Sequence, residues 1–112
     1  MISKELTGAS TIPIILSILV EKEDYGYQII KKVKTVSNGS VKWSEPMLYP
    51  VLHRLERDDC IKSKWRELPN GRNRKYYSIT LKGKKLLESK KSEWKEMMYF
   101  LSKMWNLKPN QI

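Results

Sequence analysis

Hydrophobic residues recur along this chain at two spacings, one typical of helices and the other of strands. The first apolar run is Ile12–Val20, in which Thr11 can cap a helix and Pro13 falls in a first turn, where its missing N–H is not needed. Because the run is apolar on nearly every side, it predicts a helix buried against several neighbours. Its β-branched residues leave a strand as the alternative.

A second helix is predicted over Tyr25–Val36, after a polar turn at Glu21–Asp24. Its apolar residues have helical spacing, and its lysines face away from them. Asn38 and Gly39 follow. Both residue types accept the left-handed backbone conformation at which many helices end, so we expect the helix to stop there.

A third helix, amphipathic, is predicted over Ser44–Asp59, with Ser44 as its N-cap and Glu45 in its first turn. One face holds the core positions Leu48, Val51, Leu52 and Leu55. At about 100° per residue, the opposite face holds Pro46, Tyr49, Pro50, His53 and Arg57. Pro50 removes an interior hydrogen bond, so we expect a bend or a local opening of the helix there.

Alternating apolar and polar residues predict two strands, Ile61–Glu67 and Tyr77–Leu81, with a turn between them that carries several cations. A long last helix is predicted from Leu81 to about Trp105, capped by Thr80. Its apolar seam is like that of a coiled coil and is interrupted only by Lys91. The seam consists of Leu87, Trp94, Met98, Leu101 and Trp105.

Composition indicates the kind of partner that this chain would have. The chain has 112 residues and a formal net charge of +10. So much positive charge on a small chain favours a polyanion, nucleic acid or anionic lipid, as the usual neighbour. Cys60 is the single cysteine, which excludes an internal disulfide, and the first apolar run is too short to span a bilayer. We therefore expect a cytoplasmic protein with no membrane span.

Candidate catalytic chemistry is sparse. His53 is the single histidine, and the consecutive Asp58 and Asp59 would point about 100° apart on a helix, which does not suit an acid/base pair. No glycine-rich phosphate loop follows a strand, and no Cys/His spacing suits zinc. We expect no catalytic residue, no metal and no cofactor.

The order of elements points to DNA binding. A helix-turn-helix followed by a basic hairpin is typical of an α+β winged-helix fold, here with three helices, a two-stranded wing and a long C-terminal helix. The third helix would enter the major groove, while Arg72, Arg74 and Lys75 would meet phosphates or the minor groove. The alternatives are a merely solvated charged hairpin, and a basic RNA-binding or membrane-surface module without sequence-specific DNA binding.

Three motifs closely resemble the PadR family of bacterial transcriptional regulators: Tyr25–Ile29, Leu48–Glu56 and Gly71–Tyr77. The resemblance covers the chain from about Ile12 to Leu101. It implies a homodimeric winged-helix repressor, similar to small members with one C-terminal helix, some of which control multidrug transporters. Residues 1–80 would form the DNA-binding domain and residues 81–112 the dimerisation helix and tail, in one structural unit.

The resemblance also implies roles for individual residues. Tyr27 and Tyr49 would approach phosphates, and the base-facing start of the third helix would hold Glu45, Pro46 and Met47. The complete set expected to bind DNA is Tyr27, Ser44, Glu45, Pro46, Met47, Tyr49, Pro50, His53, Arg57, Arg72, Asn73, Arg74 and Lys75. The usual pattern of the family has a small or polar residue at the position of Met47 and a cation at the position of His53. Met47 would give an apolar contact, as to a thymine methyl group, so the operator sequence stays open.

The first and last helices would form the dimer interface by the same resemblance. Residues expected in this interface or in a ligand pocket are Ile15, Leu87, Trp94, Met98, Leu101 and Trp105. Two recognition helices related by a two-fold axis would read a near-palindromic operator. Trp94 matches the tryptophan that stacks on flat ligands in multidrug-sensing relatives, which implies a planar aromatic effector. The alternative is that this aromatic stripe only packs the dimer.

Overall fold

The computed structural model describes residues 1–108 and 110. It contains four helices and one antiparallel sheet of three short strands. The elements are α1 (Lys4–Glu21), β1 (Asp24–Tyr25), α2 (Gly26–Val36), α3 (Glu45–Arg57), β2 (Ile61–Glu67), β3 (Asn73–Ile79) and α4 (Leu81–Met104). The predicted α+β winged-helix fold with a long C-terminal helix is confirmed. Residues 109, 111 and 112 of the predicted tail lie outside the described residues.

The first helix begins earlier than predicted, and the strand alternative is wrong. Ser3 caps α1 by accepting a hydrogen bond from the backbone N–H of Leu6 at 3.2 Å. Thr11 lies inside the helix, where its hydroxyl donates to the carbonyl of Thr7 at 2.9 Å, and Pro13 is also interior. The first two turns of α1 are mostly exposed, so they lack the apolar period from which a helix is predicted.

The sheet has one strand more than predicted. β1 falls at the end of the expected polar turn Glu21–Asp24 and pairs antiparallel with β3, which gives the order β1-β3-β2. A strand of two residues is too short for any alternation to reveal it. β3 also starts at Asn73 rather than Tyr77, because its charged first half pairs in register with β2: Trp65 lies opposite Lys75 and Arg66 opposite Arg74.

The core is formed by one face each of α1, α2 and α3 together with the sheet and the start of α4. Its fully buried members are Ile15, Leu16, Ile29, Leu48, Leu52, Leu55, Ile61, Tyr77 and Leu87. Ile15 and Leu87 had been expected at the dimer interface or pocket. Both side chains are completely buried within the protomer.

The start of α4 is fixed against the strands. The predicted cap is confirmed, since the Thr80 hydroxyl accepts from the N–H of Gly83 at 3.0 Å and donates to the carbonyl of Asp59 at 2.6 Å. A side chain at Gly83 would meet the carbonyl oxygen of Cys60, so only glycine allows this approach. The later part of α4 leaves large apolar side chains exposed, namely Met97, Met98, Phe100, Met104 and Trp105.

Candidate nucleic-acid interface

The start of α3 is open to a partner. Ser44 occupies the predicted N-cap position, but its side chain makes no capping hydrogen bond. Its carbonyl instead accepts from the N–H groups of Met47 and Leu48, at 3.2 and 3.0 Å. Glu45 and Pro46 are exposed, whereas Met47 is half-buried against the core. The hydroxyl of Ser44 and the first turn of α3 are therefore available for external contacts.

The outer face of α3 is as predicted for all but one residue. Pro50, His53 and Arg57 are exposed, and the helix continues through Pro50 from Glu45 to Arg57. Since Pro50 lies on the solvent side, water can satisfy the carbonyl that its ring leaves without a donor. The result is an unobstructed helix surface whose charged and polar side chains point away from the core.

Tyr49 is the exception on that face, because it packs half-buried over the first residue of α2. A Cβ atom on Gly26 would lie 2.5 Å from the Tyr49 hydroxyl oxygen, so glycine is needed for this contact. Burial raises the pKa of Tyr49, and the negative charge of Glu45 adds to the increase, although Arg74 opposes it. The hydroxyl therefore stays protonated at neutral pH and can donate a hydrogen bond to a phosphate oxygen.

Arg74 does not extend freely from the wing. Its guanidinium carbon lies 4.6 Å from the ring centroid of Tyr25 and 6.0 Å from that of Tyr27, which is cation–π geometry. Its Nε is buried and has no hydrogen-bond partner within residues 1–108 and 110. Tyr27 itself is exposed, with the amine of Lys31 at 5.6 Å from its ring. Arg74 thus positions two tyrosines beside the interface.

Lys75 and Arg72 also differ in their contacts, since Lys75 has a charged partner within the protomer and Arg72 has none among the described residues. The Lys75 amine lies 3.7 Å from a Glu56 carboxylate oxygen, and this carboxylate also accepts a hydrogen bond from Ser63. Arg72 is exposed at the hairpin turn, where its carbonyl accepts from the N–H of Leu68 at 2.7 Å. No ion pair or ring contact involves the Arg72 side chain among the described residues. Arg72 and the exposed Asn73 therefore present polar groups to solvent beside the hairpin turn.

Strand β2 contributes residues that the sequence reasoning missed. Lys62, Lys64 and Arg66 are exposed, and so is Trp65, at 65%. Arg66 lies over the ring of Tyr76 at 4.7 Å and forms an ion pair with Glu23, so it fastens the wing to the β1 side. Trp65 lies opposite Lys75 and lines a cleft of about 360 Å³ between α3 and the wing. We call this the wing cleft; its other lining residues are Tyr25, Gly26, Tyr49, His53, Asn73, Arg74, Lys75 and Tyr77.

A second cavity lies beside Trp94. It has a volume of about 620 Å³ and is mostly lined by α1 and α2, with Pro13, Ile14, Ile18, Val33 and Val36 among its apolar residues. Trp94 is half-buried and is the one α4 residue in this lining. Of the other seam residues, Met98 and Trp105 are exposed and Leu101 is half-buried. Spacing along α4 could not reveal the cavity, because two other helices supply most of its wall.

The described part of the chain holds neither a candidate membrane span nor a candidate metal site. None of its helices has the length and apolar character needed to cross a bilayer. Within residues 1–108 and 110, no group of three or more His, Cys, Asp or Glu side chains is placed so that it could hold a metal ion.

Known proteins are similar to this chain in both sequence and structure. Residues 15–89 match the Transcriptional regulator PadR-like family. An uncharacterized protein from Lysinibacillus sphaericus is 34% identical over 97 residues, which are 87% of this chain and 89% of that protein.

Solved structures agree with this match. A transcriptional regulator from Clostridium thermocellum superposes with a TM-score of 0.85 at 33% identity, over 92% of this chain and 97% of that one. A PadR family transcription regulator from Clostridium difficile superposes with a TM-score of 0.73 at 36% identity, over 86% and 98%. A PadR-like regulator from Bacillus cereus gives 0.80 at 28% identity, over 94% and 100%.

Proposed function

The chain belongs to the PadR-like family of transcriptional regulators, which regulate through DNA binding, and from this premise we propose that it is a cytoplasmic, homodimeric repressor. One observation carries the proposal: His53 on the exposed outer face of α3 and Asn73, the first residue of β3 after the wing turn, line the same cleft. A recognition helix beside a cationic hairpin can engage a groove and its flanking phosphates together.

In the proposed complex the start of α3 meets base edges and the wing follows the backbone. Ser44 and Glu45 supply polar groups to the major groove, and Met47 supplies an apolar edge suited to a thymine methyl group. Tyr27, Tyr49 and Arg72 contact phosphates, which carry most of the affinity. The net charge of +10 favours this encounter over long range.

A second copy of the chain is the proposed cover for the exposed side of α4. Met97, Met98, Phe100, Met104 and Trp105 are each at least 40% exposed, which is unusual for so many large apolar side chains on one helix. A two-fold pairing through α4 and α1 would bury them. It would also place two α3 helices about one helical turn of DNA apart, so that the operator is near-palindromic.

Release by a small molecule is the proposed means of regulation. The cavity of about 620 Å³ has the size and the apolar lining of a site for a drug-like molecule, and Trp94 can stack on a planar aromatic or cationic compound. Because α1 and α2 form the other walls of the cavity, a bound molecule would contact α2, the helix that precedes the recognition helix. A coupling of about 1–3 kcal/mol between the two sites would suffice for a useful switch.

Selection of bound sites from random duplex DNA tests the repressor proposal. We expect the enriched sequences to contain two inverted half-sites whose centres are about 10 base pairs apart. Enriched sites without two-fold symmetry would contradict a dimer with two recognition helices. A failure to enrich any duplex, with binding to RNA or anionic vesicles instead, would favour a basic RNA-binding or membrane-surface module.

Rhodamine 6G, a planar cationic dye, tests the effector proposal. We expect it to quench tryptophan emission in the parent and to lower operator affinity about tenfold, in line with the coupling above. Trp94→Ala should abolish both effects, whereas Trp105→Phe should retain them because Trp105 lies outside the cavity lining. Equal quenching in the parent and in Trp94→Ala would contradict the site.

A further inference from the structure

We propose that Trp65 is a DNA-contacting residue that reads the minor groove beside the wing and favours an A·T pair there. This inference deepens the proposed function and rests on it. The juxtaposition that carries it is an exposed tryptophan in a cleft between the recognition helix and the wing.

The exposure of Trp65 has no explanation within the protomer. Its side chain is 65% exposed, although tryptophan is among the largest apolar side chains and is highly buried on average. It extends from β2 at the register position opposite Lys75. No aromatic or cation–π partner of Trp65 occurs in the described part of the chain, whereas the nearby Tyr25, Tyr76 and Tyr77 each have a cation over the ring.

The position of Trp65 fits a partner that touches both α3 and the wing. The wing cleft brings Trp65 together with Tyr49 and His53 of α3 and with Lys75 of β3. A duplex whose major groove holds α3 presents its adjacent backbone and minor groove to the wing. The ring therefore lies beside the path of the DNA strand rather than on the far side of the sheet.

The chemistry of indole predicts what it would read. Its ring can pack on the apolar edge of the deoxyribose, while its N–H is a donor only. In the minor groove, A·T pairs present acceptors alone, whereas a G·C pair adds the amino group of guanine, which is a donor. A donor placed against this edge favours A·T. Arg72, beside the hairpin turn, supplies charge but no ring.

Binding titrations of the full chain with a duplex obtained by selection test this assignment. Trp65→Ala should weaken binding about tenfold without changing the dependence of affinity on salt, because no charge is removed. Trp65→Phe retains an aromatic ring but loses the N–H. It should therefore bind within about threefold of the parent and lose discrimination at one position of the duplex, found by exchanging each A·T pair for G·C.

Tyr99→Ala is the matched control, since Tyr99 is an exposed aromatic residue on α4, outside the wing cleft. It should bind DNA as the parent does, and the urea midpoints of all three variants should equal that of the parent. Trp65→Ala with parental affinity and parental base preference would overturn the assignment while leaving the repressor proposal intact. A parent that prefers no duplex would overturn both.

Discussion

The absence of a Cβ atom at Gly26 determines where Tyr49 can lie. The Tyr49 ring occupies the space where a side chain at position 26 would begin. We expect Gly26→Ala to reduce the free energy of unfolding by about 1–3 kcal/mol, because either the ring or the start of α2 must move. The same displacement should weaken operator binding, since Tyr49 would leave its place beside the wing cleft. Urea unfolding and DNA titration measure the two effects.

Gly8→Ala is the control for that substitution. Gly8 lies inside α1 and is exposed, and nothing lies within 4 Å of the position that a Cβ would take. Alanine there should raise stability by up to about 1 kcal/mol through helix propensity. Similar losses in both variants would contradict the role assigned to the contact between Gly26 and Tyr49.

Tyr77 makes stability depend on alkaline pH. Burial raises the pKa of Tyr77 to about 12, with the charge of Glu56 as a further cause. The folded state therefore favours the neutral phenol, whose contribution is complete below pH 10.0, the ordinary value, and is lost as pH rises to about 12. The loss should reach about 3 kcal/mol. Urea unfolding from pH 8 to 11.5 should show a decline that Tyr77→Phe reduces; equal slopes would contradict the burial argument.

Some residue-scale predictions held and others did not, for identifiable reasons. Asn38 and Gly39 have φ values of 52° and 80°, and Thr80 caps α4, because these residue types act through their own backbone or hydroxyl. Thr11 was wrong as a cap because its hydroxyl bonds backwards to Thr7 inside a longer helix. A threonine two residues before a proline has the same local sequence at a helix start and inside a helix, and only the preceding turns distinguish the two cases.

The wing is an element in which similar cations have different surroundings. Arg72 is unpaired within the described residues, whereas Arg74 is stacked on Tyr25. We expect Arg72→Gln to reduce the slope of log affinity against log salt by about one, with unchanged stability. Arg74→Gln should instead lower the free energy of unfolding by about 1 kcal/mol through the lost cation–π contact. Titrations at several salt concentrations and urea unfolding separate the two.

The sequence could not distinguish the surroundings of Arg72 from those of Arg74. Both arginines lie in one cationic run, and the partners of Arg74 come from residues about fifty positions earlier through β1, which is too short to predict. The helices α2 and α3 were predicted well because their apolar stripes face a single core. If Arg72→Gln and Arg74→Gln changed the slope of log affinity against log salt equally, the proposal that Arg72 contacts phosphate and Arg74 positions tyrosines would be contradicted.

Assembly belongs to the scale of the whole molecule. The protomer measures 55 × 29 × 22 Å, and a group of its exposed apolar residues lies on the later part of α4. Met98→Glu should convert the dimer to a monomer, because a charge would be buried in the seam. Tyr99→Glu should leave the dimer intact, since its side chain points about 100° further around the helix. Sedimentation equilibrium measures both, and a dimeric Met98→Glu variant would contradict the proposed interface.

The apolar seam of α4 could be predicted from the sequence, but the chain that covers each of its residues could not. A coiled-coil-like spacing grouped Leu87 with Trp94, Met98, Leu101 and Trp105, yet Leu87 is fully buried in the protomer while Met98 and Trp105 are exposed. Periodicity identifies an apolar stripe but does not say whether the same chain or a second chain covers it. The packing of α1 on α4 decides this, and that contact is tertiary.

Competition for a labelled operator tests the central claim, sequence-specific binding of duplex DNA, most directly. The labelled duplex is one obtained by selection, bound by the full chain at about 150 mM salt, where weak phosphate contacts alone are screened. We predict that a 100-fold excess of random duplex, on the order of a tenth of the lower limit of the usual specificity ratio, leaves most of the complex in place. Unlabelled operator should displace it. Equal displacement by random duplex, RNA or anionic vesicles would contradict the account.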